Sequence, residues 1–82
     1  MQKQIEKALQ LVRQYITENF PALTAEPTLF IVWQSTILQN FKCSISTVLP
    51  ARMSFELTYD GDGNCWYLDV YRKVENRVIP DD

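Results

Sequence analysis

The chain has 82 residues, eight basic and ten acidic, for a formal net charge of −2, and 46% of its residues are apolar. That suffices for one small globular domain, is too apolar for a disordered segment, and offers neither the basic field that gathers nucleic acid nor the acidic tail that mimics it. No histidine is present, which excludes His-based triads, His metal sites and the usual proton shuttle near neutral pH.

The single domain 1–82 divides into a helix over 2–19, a connector over 21–28, a sheet over 29–73 and a tail over 74–82. In the first segment Ile5, Leu9, Val12 and Ile16 recur at helical spacing, flanked by Ala8 and Tyr15. Phe20 precedes Pro21, which pushes it out of the helical region and ends the helix near Asn19. Local support is poor. Lys3 and Lys7 sit at the positive end of the helix dipole and Glu18 at the negative end, and no capping side chain precedes the helix. Its stability has to come from docking its apolar stripe.

After the two-proline connector the apolar period changes from 3.6 to 2. Strands are expected at Leu29–Leu38, Lys42–Val48, Met53–Tyr59 and Cys65–Lys73, with breaks at Gln39-Asn40, Pro50-Ala51 and Asp60–Asn64. Short connections between four strands predict an antiparallel meander, with the helix packed on one face: an α+β fold in two layers. Parity puts Met53, Phe55 and Leu57 on one face of the third strand, and Trp66, Leu68 and Val70 on one face of the fourth, opposite Tyr67, Asp69 and Tyr71.

The first strand departs from simple alternation. Leu29–Trp33 is apolar at every position, so both faces of a predicted edge strand are hydrophobic and need cover. The cover is either the tail, through Val74, Val78 and Ile79, or a second subunit. Phe30, Val32, Tyr67 and Tyr71 would share the face that the helix leaves open, together with the carboxylates Glu56 and Asp69. These six residues form the candidate interaction surface, and a homodimer is expected through it.

Asp60-Gly61-Asp62-Gly63-Asn64 opens like a calcium loop, but Cys65 stands where that loop needs glycine and Tyr71 where it needs a bidentate glutamate. It reads as a hairpin turn in which Gly61, Gly63 and Asn64 supply positive φ. Cys43 and Cys65 fall on strands separated by a third, about 9–10 Å apart, and on opposite faces. No disulfide is expected, and two thiols without histidine make no zinc site. Glu56 and Asp69 lie on one face of adjacent strands. A small meander has no cleft to shield a substrate, so the pair reads as solvated or ion-paired, with Arg52 or Arg72 as partners. No phosphate loop or nucleophile elbow is present. The expectation is therefore a non-enzymatic protein with no catalytic, cofactor or metal residues. Trp66–Lys73 interleaves basic and aromatic residues, which makes a nucleic-acid-associated role the alternative. The longest apolar run falls far below the ~18 residues of a membrane span. The amphipathic first twenty residues do not read as a secretory signal, so a cytoplasmic location without membrane contact is expected.

From Phe30 onward the chain resembles a small, uncharacterised family encoded by bacteriophages and prophages. The matching strings are Val32–Asn40 (VWQSTILQN), Ser46-Thr47, Glu56–Asp62 (ELTYDGD) and Trp66–Arg77 (WYLDVYRKVENR). Members often carry lysines where this chain has Gly63 and Asn64. The resemblance covers about the last fifty residues and implies no catalytic residues. What it implies is context: an accessory phage gene product in a bacterial host cell, acting on a host or phage protein as partner.

Overall fold

A computed structural model describes residues 2–23, 26–48 and 52–81. The expected break at Pro50-Ala51 lies outside the described residues, as do Thr24 and Ala25 of the connector. Helix α1 spans Gln2–Asn19, and the strands are β1 (Leu29–Ile37), β2 (Asn40–Thr47), β3 (Met53–Asp60) and β4 (Cys65–Arg72). They form one four-stranded antiparallel sheet in the order β1-β2-β3-β4, the expected meander.

The helix ends where Pro21 predicts. Phe20 N–H still reaches Ile16 O at 2.8 Å, and the Asn19 side-chain amide donates to Tyr15 O at 2.9 Å, satisfying carbonyls the last turn leaves open. The helix has no acidic residue in its first turn and no basic residue in its last, so packing must hold it. Ala8, Val12 and Ile16 are buried against Phe41, Cys43, Ile45, Met53, Phe55 and Leu57. These sheet residues belong to β2 and β3 alone. Tyr15 meets Phe55 edge-on with ring centroids 5.7 Å apart, and Phe41 meets Trp66 likewise at 6.3 Å.

One helix is too narrow for four strands. With a diameter of roughly 10–12 Å, it spans about two strand spacings of ~4.8 Å each. The middle strands are therefore buried, whereas in β1 every residue after Leu29 is exposed. The tail does not supply the missing cover. Val74, Val78 and Ile79 are 95%, 89% and 80% exposed, and residues 73–81 form neither helix nor strand.

Three local readings need correction. First, the β1–β2 turn is Leu38-Gln39, one residue earlier than expected, with Leu38 at φ 56°. Second, neither glycine of the β3–β4 turn has positive φ; Asn64 does, at 52°. The glycines serve close approach instead: a Cβ on Gly61 would lie 2.3 Å from Gln39 O, and one on Gly63 would lie 2.9 Å from Asp60 Oδ2. Third, β1 carries a bulge between Ile31 and Trp33. Val32 has no partner on β2, and face parity inverts beyond it. Val32 therefore falls in no register row, and Trp33 is the residue that shares the face of Phe30.

Candidate interaction surface

The ladders place side chains in rows across the face opposite the helix. Phe30, Ser46, Ser54 and Tyr71 form one row, and Trp33, Ser44, Glu56 and Asp69 the next. Ser35, Lys42, Thr58 and Tyr67 form the third, and Ile37 with Asn40 and Asp60 with Cys65 close the far end. The middle of the first row is floored by small hydroxyls, with the Ser46 and Ser54 oxygens 3.4 Å apart. Its rims are large. Phe30 is 50% exposed, Trp33 43%, Tyr67 54% and Tyr71 51%. Rings on the two outer strands, with hydroxyls and the Lys42–Glu56 pair between them, make a shallow trough, and a purely solvated face would not carry four exposed aromatics.

The expected site residues separate as follows. Phe30, Glu56, Tyr67, Asp69 and Tyr71 lie on this face, and Glu56 and Asp69 are direct register partners. Val32 is exposed but sits at the bulge. Glu56 is paired with Lys42, at 3.5 Å, and not with Arg52 or Arg72. The Cys65 thiol beside Tyr67, by hydrogen bond and then by charge, raises that phenol above its ordinary value, with Asp60 adding to the effect.

Sequence reasoning missed Trp33 and Ile37 as members of this face. Nothing in Ile31-Val32-Trp33 marks a bulge; there is no glycine, and each residue suits a regular strand. It also did not gather Arg52, Arg72 and Lys73. The three border one depression of about 430 Å³ with Phe30 and Tyr71 at the β1 start and β4 end. None has an ion-pair partner among the described residues. A second depression, of about 400 Å³, lies between Trp33, Ile37 and Lys42. The opposite end is acidic, with Asp60 closing β3 and Asp62 in the turn that follows. Arg72 pairs with Met53 and so belongs to the helix-side row, and it meets the depression only at the sheet's end; among the described residues, the trough and its basic end therefore hold Lys42, Arg52 and Lys73 against Glu56 and Asp69, in a chain of net charge −2.

The turn at the acidic end uses its carboxylates for the backbone. Asp60 Oδ1 accepts from the N–H groups of Asp62 and Gly63, at 3.1 and 3.2 Å, while Asp62 Oδ1 accepts from Gln39 Nε2 at 2.7 Å. This is an Asx-type turn braced against the neighbouring hairpin. Among the described residues no three His, Cys, Asp or Glu side chains gather to hold a metal. Both cysteines are free thiols, Cys43 buried beneath the helix and Cys65 half-buried on the other face. No described helix is long and apolar enough to cross a membrane.

Residues 5–81 match the sequence model of a family of unknown function, DUF6275. No curated protein and no solved structure matches the chain.

Proposed function

We propose that this chain, which belongs to the family of unknown function DUF6275, is a non-enzymatic interaction module that docks a protein through the open sheet face and the adjoining β1 strand. The observation that carries the reading is the trough itself: Phe30, Trp33, Tyr67 and Tyr71 exposed together on the face that α1 does not cover. Aromatic rings held on strands offer large contact area at small entropy cost, which is why Tyr and Trp dominate binding hot spots. The phage or prophage context, and with it a host or phage protein as partner in the bacterial cytoplasm, draws on the resemblance of Val32–Asn40, Glu56–Asp62 and Trp66–Arg77.

The test is affinity capture from the bacterial host with three baits. These are the wild type, a trough variant (Phe30→Ser, Trp33→Ser, Tyr71→Ser) and a helix-surface variant (Arg13→Ser). A partner held by the first and third baits and lost by the second supports the reading. Capture indifferent to the trough variant refutes it.

A second reading, association with single-stranded nucleic acid, is favoured by one observation: Arg52, Arg72 and Lys73 lie beside the rings of Phe30 and Tyr71. Phosphates could neutralise the cations while bases stack on the rings. Oligonucleotide affinity that falls steeply with salt, and falls further in a charge-reversed variant of those three residues, would bring this reading forward.

A further inference from the structure

We infer that the occupant of the trough is a second copy of this chain, packed face to face with its strand ends exchanged; the inference rests on the open face being a protein-docking surface. Three features of the face point to it.

The first is charge. One end of the trough is bordered by Arg52 and Lys73, with Arg72 reaching the same depression from the row of Met53 on the helix side; among the described residues none has an ion-pair partner, and the other end carries Asp60 and Asp62. Eight residues of strand separate the ends by roughly 25 Å, more than two Debye lengths at physiological salt, so each end acts on its own. Two sheets facing each other can be related by a two-fold axis along the strands or across them. An axis along the strands sets the cationic ends on each other. An axis across them sets each cationic end on the partner's acidic turn, at both ends at once.

The second is shape. The axis across the strands lays the row of Phe30 over that of Ile37, and the row of Trp33 over that of Ser35. Trp33 of one copy then stands over Ser35 of the other, and Tyr67 over Asp69. In the inner rows large side chains meet smaller ones, and in the end rows Phe30 meets Ile37 as an apolar pair, which lets two faces interlock at the ~10 Å spacing of packed sheets. The face measures roughly 20 by 25 Å, about 500 Å² per copy. About 1,000 Å² in total is the lower limit for a specific interface, so the dimer should be weak and concentration-dependent.

The third is the bulge. Edge-to-edge pairing of β1 with β1 would need an unbroken ladder edge. The shift between Ile31 and Trp33 interrupts it, and bulges are a standard way of blunting an edge strand. The same bulge turns Trp33 onto the open face. The edge is weakened as a docking site and the face is strengthened.

The experiment is sedimentation equilibrium of the wild type from low to high micromolar concentration, alongside two charge variants. The first is Arg52→Glu with Arg72→Glu and Lys73→Glu. The second is Asp62→Lys with Asp60→Asn, which keeps the acceptor that the turn requires. Circular dichroism verifies that both fold. The wild type is expected to dimerise. Each variant alone should dimerise about tenfold or more weakly, because several exposed pairs of small individual worth reverse at both ends. An equal mixture should recover a heterodimer, since the reversed ends are complementary to each other. A wild type that stays monomeric at high micromolar concentration overturns the inference, and so does a mixture that recovers nothing. A monomeric wild type whose trough variant still loses a captured host protein overturns self-association alone and leaves the docking reading standing. A monomeric wild type that binds single-stranded oligo-dT, with binding lost in the first variant, overturns it in favour of nucleic acid.

Discussion

Replacing Cys43 with serine probes whether the layer between helix and sheet is dry. Cys43 is fully buried, in the row of Gln34, Leu57 and Leu68 on the helix side of the sheet. Serine is close to it in size, so the change puts a hydroxyl where a thiol sat among apolar groups. An unpaired buried hydroxyl costs about 1–3 kcal/mol. Alanine at the same place loses one heavy atom's burial and leaves a small void, for about 1 kcal/mol. Serine should therefore be the worse of the two, by about 1 kcal/mol, and should lie about 2 kcal/mol below wild type. In a domain this size each kcal/mol moves Tm by about 4–8 °C, so Cys43→Ser should melt about 8–16 °C lower. Urea unfolding followed by tryptophan fluorescence and circular dichroism, at fixed protein concentration, gives the free energies. An unchanged m-value shows that the denatured state is not the cause. Cys65→Ser on the open face is the control and should stay within about 0.5 kcal/mol. If Cys43→Ser is as stable as wild type, water or a hydrogen-bond partner reaches the site, and the dry helix–sheet packing is wrong.

Burial pushes the Cys43 thiol up from its ordinary 9.0 to about 11, so the unfolded chain releases this proton first. Stability contributed by the neutral thiol should be complete below about pH 9 and fall as pH rises toward 11; a loss steeper in the wild type than in Cys43→Ala, read by urea unfolding across that range, verifies the sign. Brief alkylation of the native protein near pH 8 should add a single group, at Cys65; an adduct on Cys43 under native conditions would show that its cover opens readily. Leu38 is 88% exposed at φ 56°, so Leu38→Gly should relieve left-handed strain and raise stability by about 0.5–1 kcal/mol; a lower Tm would show that the leucine side chain holds the turn. Gly61→Ala should cost about 1–3 kcal/mol, because the new methyl meets the Gln39 backbone, whereas Gly63→Ala meets a movable carboxylate and should cost less; the reverse order in urea titrations would contradict the packing of the two turns.

Much of the fold was legible because it is written in periods. The 4-3-4 spacing of Ile5, Leu9, Val12 and Ile16 and the proline at 21 predicted α1 to its last residue, since both signals act through neighbouring backbone geometry. Alternation in Met53–Tyr59 and Cys65–Lys73 predicted the strands and the helix-facing side of each, because strand side chains keep a period of two whatever they pack against. The opposed faces of Cys43 and Cys65 followed from the same parity, and both are free thiols. Phe30, Glu56, Tyr67, Asp69 and Tyr71 were placed together for that reason alone.

What parity could not supply was a break in parity. The bulge that leaves Val32 without a register partner and brings Trp33 into line with the open face depends on how β1 twists against β2, and Ile31-Val32-Trp33 carries no local mark of it. The roles of Gly61 and Gly63 were misread for a related reason: a glycine required by a neighbouring chain looks, in one dimension, like a glycine required by its own φ. Arg52 stands twenty residues from Arg72, and only antiparallel pairing of β3 with β4 brings the two beside one depression with Phe30. The charge polarity of the trough belongs to the same class. Strand periodicity is a property of consecutive residues and survives in the sequence; clustering across strands is a property of register, and it exists only once the sheet has formed.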